Sequence, residues 1–225
     1  MTGVPAEAGD SSAYAKRLLL LYAAWWAALA IAPWYRADWA LENVLVLVAL
    51  PILFATRRLL SRAALTAVFV FMLLHAVGAH YTYAEVPYDA WWSRITGHSL
   101  NSMLGLERNH FDRLVHFLYG LLVTPAMIEL LDARIVLRGL WRYMIPFTFM
   151  AAQAGVYEII EWAAAEVFGG DLGQAYLGTQ GDEWDSQKDS ALMTVGGVIA
   201  IALVRRLSTP RGTSILGETG GVGNG

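Results

Sequence analysis

Cysteine is absent from the 225-residue chain, and charged residues are scarce. Without cysteine the protein has no disulfide, no thiolate nucleophile and no zinc–thiolate site. Charged residues make up 16% of the sequence, whereas soluble domains average about 25%. The net charge is only −3 and no basic stripe is present, so nucleic acid is not an expected partner. With 56% hydrophobic residues, the composition indicates a membrane protein.

The sequence motifs of common enzyme classes are also missing. There is no His-Glu-x-x-His, no Gly-x-Ser-x-Gly and no Walker loop. Glu158 and Glu161 form a Glu-x-x-Glu pair, whereas ferritin-like di-iron bundles carry Glu-x-x-His. No side chain stands out as a nucleophile, so any chemistry would have to use a bound water or an external acceptor.

What the sequence has in abundance is long apolar runs, and these predict six transmembrane helices. A spanning helix needs about 20 mostly apolar residues. The predicted spans are Leu18–Ala32, Leu41–Ala55, Ala63–Tyr83, Asp112–Leu131, Tyr143–Trp162 and Asp189–Val204. The first run is alternatively a cleaved signal peptide, although Pro33 directly after the candidate cleavage site argues against cleavage. We expect an all-α, polytopic membrane bundle.

The positions of the cationic residues predict how this bundle is oriented. Lys and Arg concentrate in short cytoplasmic loops of membrane proteins. Most of them lie before span 1, in the 2–3 and 4–5 loops and after span 6: Lys16, Arg17, Arg57, Arg58, Arg62, Arg134, Arg138, Arg142, Arg205, Arg206 and Arg211. This distribution predicts that both termini are cytoplasmic.

The two ends of the chain are expected to be unstructured. Residues 1–15 are small and polar, and residues 208–225 are rich in Gly, Ser and Thr, so neither segment can bury much apolar surface. The predicted organisation is a disordered cytoplasmic N-terminus (1–15), a six-helix transmembrane domain (16–207) and a disordered cytoplasmic tail (208–225).

Histidines and acids recur at helical spacing near the outer ends of four predicted spans. Spans 3 and 5 run outward and spans 4 and 6 run inward, so these side chains are expected at one membrane level. They are His75, His80 and Tyr83 in span 3; Asn109, Asp112, His116 and Tyr119 at span 4; Gln153, Glu158 and Glu161 in span 5; and Asp182, Asp185 and Asp189 at span 6. Charged groups near bilayer depth commonly mark function.

Two interpretations of this set remain open. Imidazoles mixed with carboxylates suit zinc, iron or manganese, whereas carboxylates alone suit magnesium or calcium. The candidate metal ligands are His80, Asp112, His116, Glu158, Glu161, Asp185 and Asp189. Alternatively, the acids pair with Arg108, Arg113 and Lys188 and hold helix ends together, since buried carboxylates need partners.

Three segments, NHFDRLVHFLYG, YEIIEW and GTQGDEWDSQKD, resemble the YjdF-type inner-membrane proteins, a bacterial family of unassigned molecular function. The resemblance extends from about Leu18 to Arg205 and implies an integral inner-membrane protein. More remotely, the chain resembles the VanZ-type proteins linked to glycopeptide resistance. The positions that match the family signature are Asn109, Asp112, Arg113, His116, Gly120, Glu158, Glu161, Gly178, Thr179, Gln180, Gly181, Asp182, Trp184, Asp185, Gln187 and Asp189.

Three functions are compatible with these features. The first is a metal-dependent membrane enzyme acting on a lipid or lipid-linked substrate at the outer face. Its candidate catalytic residues are Asp112, His116, Glu158, Glu161, Asp182, Asp185 and Asp189, and its candidate substrate-binding residues are Arg108, Asn109, Arg113, Tyr83 and Gln180. The second is an ion-coupled transporter with His116 in a proton relay. The third is a structural or regulatory membrane protein without catalysis.

Overall fold

The computed structural model describes residues 7–168 and 177–208, which form α-helices joined by short loops. The helices are α1 (Glu7–Leu29), α2 (Arg36–Thr56), α3 (Arg62–Tyr81), α4 (Tyr88–Thr96), α5 (Leu100–Leu104), α6 (Phe111–Asp132), α7 (Trp141–Phe168) and α8 (Asp185–Ser208). A 3-10 turn, Tyr83–Glu85, follows α3. No strand occurs within these two ranges, and the prediction of an all-α protein is confirmed.

Four helices are long and apolar enough to cross a membrane: α2, α3, α6 and α8 as far as Leu207. They coincide with four of the predicted spans. Helices α1 and α7, of 23 and 28 residues, overlap the other two. Their hydropathy is lowered by polar side chains such as Lys16 and Arg17 in α1 and Gln153 in α7. The chain is therefore an all-helical, multi-pass membrane protein.

Helix α1 begins earlier than expected. It starts at Glu7, inside the segment 1–15 that we expected to be disordered. Tyr14 ties this part of α1 to α3, because its hydroxyl lies 2.7 Å from the Thr66 hydroxyl. The contact between Tyr14 and Thr66 thus helps to order residues 7–15, whose composition alone does not favour a helix. Residues 1–6 and 209–225 lie outside the described residues, and for them the prediction stays a prediction.

The end of α3 also differs from the expected span, which ran to Tyr83. Helix α3 stops at Tyr81 because Thr82 adopts a positive φ of 59°, which the helix cannot continue through. The buried Thr82 hydroxyl donates a 3.1 Å hydrogen bond to Asp38 of α2. The turn sends the Tyr83 ring back over α3, where it covers the Cα of Gly78. Tyr83 therefore does not share a helical face with His80.

Helices α6 and α8 run parallel and approach each other at glycines. A Cβ atom on Gly120 would lie 2.0 Å from the Met193 carbonyl oxygen, and one on Gly196 would lie 2.1 Å from the Phe117 carbonyl oxygen. The backbones therefore touch directly, as small residues allow between membrane helices. Met150 of α7 and Met193 of α8 are fully buried beside this contact. Gly196 thus permits close packing of the last span against α6, and Gly197 against Phe147 of α7.

We expect Gly120→Ala to destabilise the protein, because its Cβ would meet a backbone oxygen that cannot move aside. Overpacking of this kind costs about 1–3 kcal/mol or more, so the thermal midpoint in detergent should fall. Gly155→Ala on α7 is the matched control, since nothing lies within 4 Å of its Cβ position. Equal thermal midpoints for the two variants would contradict the α6–α8 contact.

Candidate functional site

Asp112, His116 and Asp189 bring their side chains together between α6 and α8. Each offers one ligand atom, and these atoms all lie within 4.8 Å of one another. Asp112 and His116 are one turn apart on α6, with 3.5 Å between the His116 Nε2 and Asp112 Oδ1 atoms. Asp112 and Asp189 each stand two turns before the glycine contact of their helix. Because the two helices are parallel, the glycine contact positions the three side chains at one level.

Helix α7 and helix α2 add further acids to this group. The Glu158 Oε1 atom of α7 lies 3.6 Å from the His116 Nε2 atom. Glu161, one turn further along α7, interacts electrostatically with Asp112, Glu158 and Glu42. Glu42 of α2 is buried and accepts a 3.0 Å hydrogen bond from the Tyr157 hydroxyl. We call Glu42, Asp112, His116, Glu158, Glu161 and Asp189 the acidic cluster.

Glu42 was not among the sequence-based candidates. A signal was available, because Glu42 follows Asp38 by one turn and both interrupt an otherwise apolar span. Two acids on one face of such a helix indicate that this face is buried in the protein rather than exposed to lipid.

Two carboxylate oxygens in the acidic cluster are buried without a hydrogen-bond partner in the described part of the chain: Asp189 Oδ1 and Glu158 Oε1. Asp189 as a whole is 2% exposed. A buried acceptor that loses water and gains no donor costs about 1–3 kcal/mol, and more if it is charged. Five neighbouring carboxylates also repel one another when ionised. The cluster therefore lacks positive charge, which bound protons or a cation would supply.

The two nearby arginines are engaged with a different pair of acids. Arg108 Nη1 lies 2.6 Å from Asp185 Oδ1 and donates to the Thr179 carbonyl oxygen at 3.0 Å. Arg113 bonds to Asp182 and approaches Asp185 at 3.3 Å. For Asp182 and Asp185 the structure thus has the arrangement of the second interpretation, in which acids and arginines hold helix ends together. We call Arg108, Arg113, Asp182 and Asp185 the arginine clamp.

Asp182 is the most strongly paired acid of the arginine clamp. Hydrogen bonds from the Lys188 ammonium, at 2.6 and 2.8 Å, and from the Trp184 backbone amide, together with Arg113, lower its pKa to about 2. Lys188 and Trp184 both follow Asp182 at the start of α8, so Asp182 also anchors the beginning of that helix. The carboxylate remains ionised at any physiological pH.

Of the two amide side chains proposed to bind substrate, that of Gln180 bonds to the backbone of Asn109. The Gln180 Oε1 atom accepts from the Asn109 backbone amide, and the Gln180 Nε2 atom donates to the Asn109 carbonyl oxygen, both at 3.0 Å. Asn109 also donates to the Val86 carbonyl oxygen at 2.8 Å. Gln180 has a positive φ of 51°. These contacts fix the loop before α8 onto the start of α6.

His80 lies apart from the acidic cluster. Its Nδ1 atom is 2.7 Å from the Leu29 carbonyl oxygen at the end of α1, and its ring packs edge-on against Tyr81. Tyr83 bonds instead to His75, with 2.5 Å between the Tyr83 hydroxyl and the His75 Nδ1 atom. The sequence expectation grouped His80 with Tyr83, but the turn at Thr82 separates them.

A cavity of about 410 Å³ adjoins the acidic cluster. Its mostly apolar wall comes from α2, α3, α6 and α7, and His116 belongs to both the cavity and the cluster. The other polar lining groups are His75, Tyr83, Tyr119, Gln153 and Tyr157. The Tyr119 hydroxyl donates to the Gln153 Oε1 atom at 3.1 Å. The site thus consists of the acidic cluster and an adjoining, mostly apolar cavity, which we also call the chamber. The volume of the cavity is in the size range of small-molecule pockets.

The low pKa of Asp182 predicts acid sensitivity of the loop before α8. A carboxyl whose folded-state pKa is depressed stabilises the fold above its unfolded pKa of about 3.9, and this contribution disappears as the pH falls toward about 2. Asp182→Asn should lower the thermal midpoint at pH 7 and flatten its decline between pH 4 and pH 2. Glu183→Gln, at an exposed neighbour, is the control. If the thermal midpoint of the wild type falls no more steeply between pH 4 and pH 2 than that of Asp182→Asn, the ion pairs of Asp182 are contradicted.

Comparison with known proteins relates the chain to membrane proteins of unassigned function. Residues 14–210 match the family described as "Predicted membrane protein (DUF2238)". The chain is 32% identical over 202 residues to "Inner membrane protein YjdF" of Escherichia coli (strain K12), with 88% of each protein covered. No solved structure matches the chain, and the remote resemblance to VanZ-type proteins stays a prediction. YjdF is similar to the chain along nearly the whole length of both proteins. The chain is thus a multi-pass inner-membrane protein that belongs to the DUF2238 family.

Proposed function

We propose that the protein is a membrane-embedded, metal-dependent enzyme that acts on a lipid or lipid-linked substrate at the outer face of the inner membrane. The observation that carries this proposal is the convergence of Asp112, His116 and Asp189, whose ligand atoms lie within 4.8 Å of one another. The Oδ1 atom of Asp189, which is buried without a hydrogen-bond partner in the part of the chain that the structure describes, also supports it.

The donor set fits a divalent cation. One imidazole with two carboxylates suits zinc, iron or manganese, and magnesium would rely on the carboxylates and water. Asp112, His116 and Asp189 would hold the cation, with Glu158 and Glu161 as further oxygen donors. A cation held there would polarise a phosphate or acyl oxygen and lower the pKa of a water molecule.

The residues of this chain have separate roles in the proposed reaction. In hydrolysis, the water oxygen forms a bond to the phosphorus or acyl carbon, and the ester bond to the alcohol breaks. Glu158, whose Oε1 atom lies 3.6 Å from His116 Nε2 and has no hydrogen bond among the described residues, accepts the proton that water releases and returns it to the departing alcohol oxygen. Arg108 and Arg113 neutralise Asp182 and Asp185 in the arginine clamp and keep the loop before α8 in place. Because these acids compensate their positive charge, the two arginines exert little long-range attraction on an anionic headgroup.

A bundle of six spans with cytoplasmic termini completes the proposal. Helices α6 and α8 begin at the same end of the bundle, so the chain between them has to return across it, and α7 is the helix long enough to do so. Helix α1 lies against α3, which supports its insertion as well. This topology puts the acidic cluster at the outer face.

The absence of cysteine allows a clean test of the topology with single cysteine substitutions. With a membrane-impermeant maleimide on intact cells, Ala37→Cys and Glu166→Cys should be labelled. Ser12→Cys and Arg138→Cys should react only after permeabilisation. Ser12 and Ala37 lie near opposite ends of α1, and Arg138 and Glu166 lie near opposite ends of α7. Labelling of Arg138→Cys and Glu166→Cys from the same side would show that α7 does not cross.

Metal content of the purified protein tests the site. Loss of a residue that only hydrogen-bonds to a metal ligand weakens metal binding about 10–100-fold. Asp112→Asn and Asp189→Asn each replace a proposed ligand itself, so these variants should lose the metal completely on dialysis. Asp132→Asn at the far end of α6 is the matched control, since Asp132 pairs with Arg142. The measurement is elemental analysis of wild type and variants in detergent, with the thermal midpoint before and after chelator.

A structural role without catalysis is the second candidate, because the arginine clamp already explains two of the acids. It predicts no metal in the wild type. Under this alternative Asp112→Asn leaves the thermal midpoint unchanged or raises it, since it removes one of five repelling carboxylates. A metal-free wild type with that response would end the enzyme proposal.

A further inference from the structure

The cavity beside the acidic cluster has the dimensions of one leaflet of a bilayer. Along α7 its wall extends from Phe149 to Ile160, which is roughly 16 Å at 1.5 Å per residue. The hydrocarbon core of a membrane is about 30 Å thick, so one leaflet contributes about 15 Å. On α7 the outer end of the cavity is marked by Ile160, one turn beyond Tyr157, and the cavity continues from there away from the outer face.

The cavity also opens sideways between α2 and α7. The hydrogen bond from Tyr157 to Glu42 links these helices at the level of the cluster, and elsewhere their backbones approach each other closely at very few positions. Apolar side chains at this opening are substantially exposed: Leu45 by 39%, Phe149 by 50% and Val156 by 54%. All three lie in helices that run through the hydrocarbon, so the medium at the opening is lipid rather than water.

We infer that this cavity takes one acyl chain of an outer-leaflet glycerophospholipid, which enters between α2 and α7 with its headgroup ester beside the acidic cluster. The mostly apolar wall favours a hydrocarbon chain, and the depth of one leaflet matches the chain length of an ordinary bilayer lipid. A polyprenyl chain would be too long for the chamber. This inference names the substrate class of the site and rests, at its headgroup end, on the proposed function.

His75 and Tyr83 form a polar wall on the α3 side of the chamber. His75 is 1% exposed and bonded to Tyr83, while its Nε2 atom is buried without a hydrogen-bond partner among the described residues. A lipid whose ester region lies at His116 would bring its carbonyl oxygens near this wall, where Nε2, if it carries the proton, donates to one of them. The second polar contact would fix how far the chain enters.

Native mass spectrometry of the full-length protein in mild detergent, with added dipalmitoylphosphatidylglycerol, tests this inference. The wild type should retain one lipid molecule through delipidating washes. Ala152→Trp fills the chamber from an exposed position of its wall and should lower retention about tenfold. Val156→Trp is a second chamber variant, should the first fail to fold. Ala27→Trp, at an exposed position of α1 outside the cavity, should bind as the wild type does.

Asp112→Asn separates this inference from the proposed function. It should lose the metal and keep the lipid, whereas Ala152→Trp should keep the metal and lose the lipid. A wild type that purifies without metal and still retains the lipid would sink the enzyme proposal and leave the acyl-chain site standing. Equal retention in the chamber variants and Ala27→Trp would overturn the acyl-chain site, as would preferential retention of a polyprenyl phosphate in competition with the phospholipid.

Discussion

The direct contact between the backbones of α6 and α8 is the constraint on which the rest of the site depends. At Gly120 and Gly196 no side chain separates the two helices. In a bilayer, packing between helices has to come from close van der Waals contact, because the lipid tails are as apolar as the protein surface. The same closeness puts Asp112 and His116 within ligand distance of Asp189. A wider spacing would leave three separate polar groups.

Charge is divided unequally around this contact. The arginine clamp satisfies Asp182 and Asp185 with two guanidinium groups, and it holds the loop that begins α8. The deeper acids have His116 as their nearest basic partner. A purely structural network would be expected to satisfy its buried members, yet two oxygens of the acidic cluster stay without a donor. Among the described residues, the clamp carboxylates meet guanidinium groups, whereas Glu158 and Asp189 each keep a buried oxygen without a donor. This contrast between the carboxylates is what favours a ligand over a structural network.

Helical periodicity in the sequence predicted most of the fold and part of the site. The apolar runs predicted every long helix, and the three- and four-residue spacing placed Asp112, His116 and Asp189 on the correct faces. Periodicity could not predict where α3 ends, because Thr82 leaves the helix through a tertiary hydrogen bond to Asp38 rather than through a local breaker. It also could not distinguish acids that meet arginines from acids that do not, since this depends on how the loop before α8 folds back. Glu42 was overlooked although its one-turn spacing from Asp38 in an apolar helix is visible in the sequence.

The conformation of Thr82 has a consequence for the chamber. A β-branched residue rarely adopts a positive φ, so the bend is enforced by its surroundings and carries a local energetic cost. The contacts that offset this cost are the hydrogen bonds from Thr82 to Asp38 and between Tyr83 and His75, and they hold the Tyr83 ring over Gly78. The rim on the α3 side is thus built to stay in place, and the freedom to widen the chamber belongs to α2 and α7.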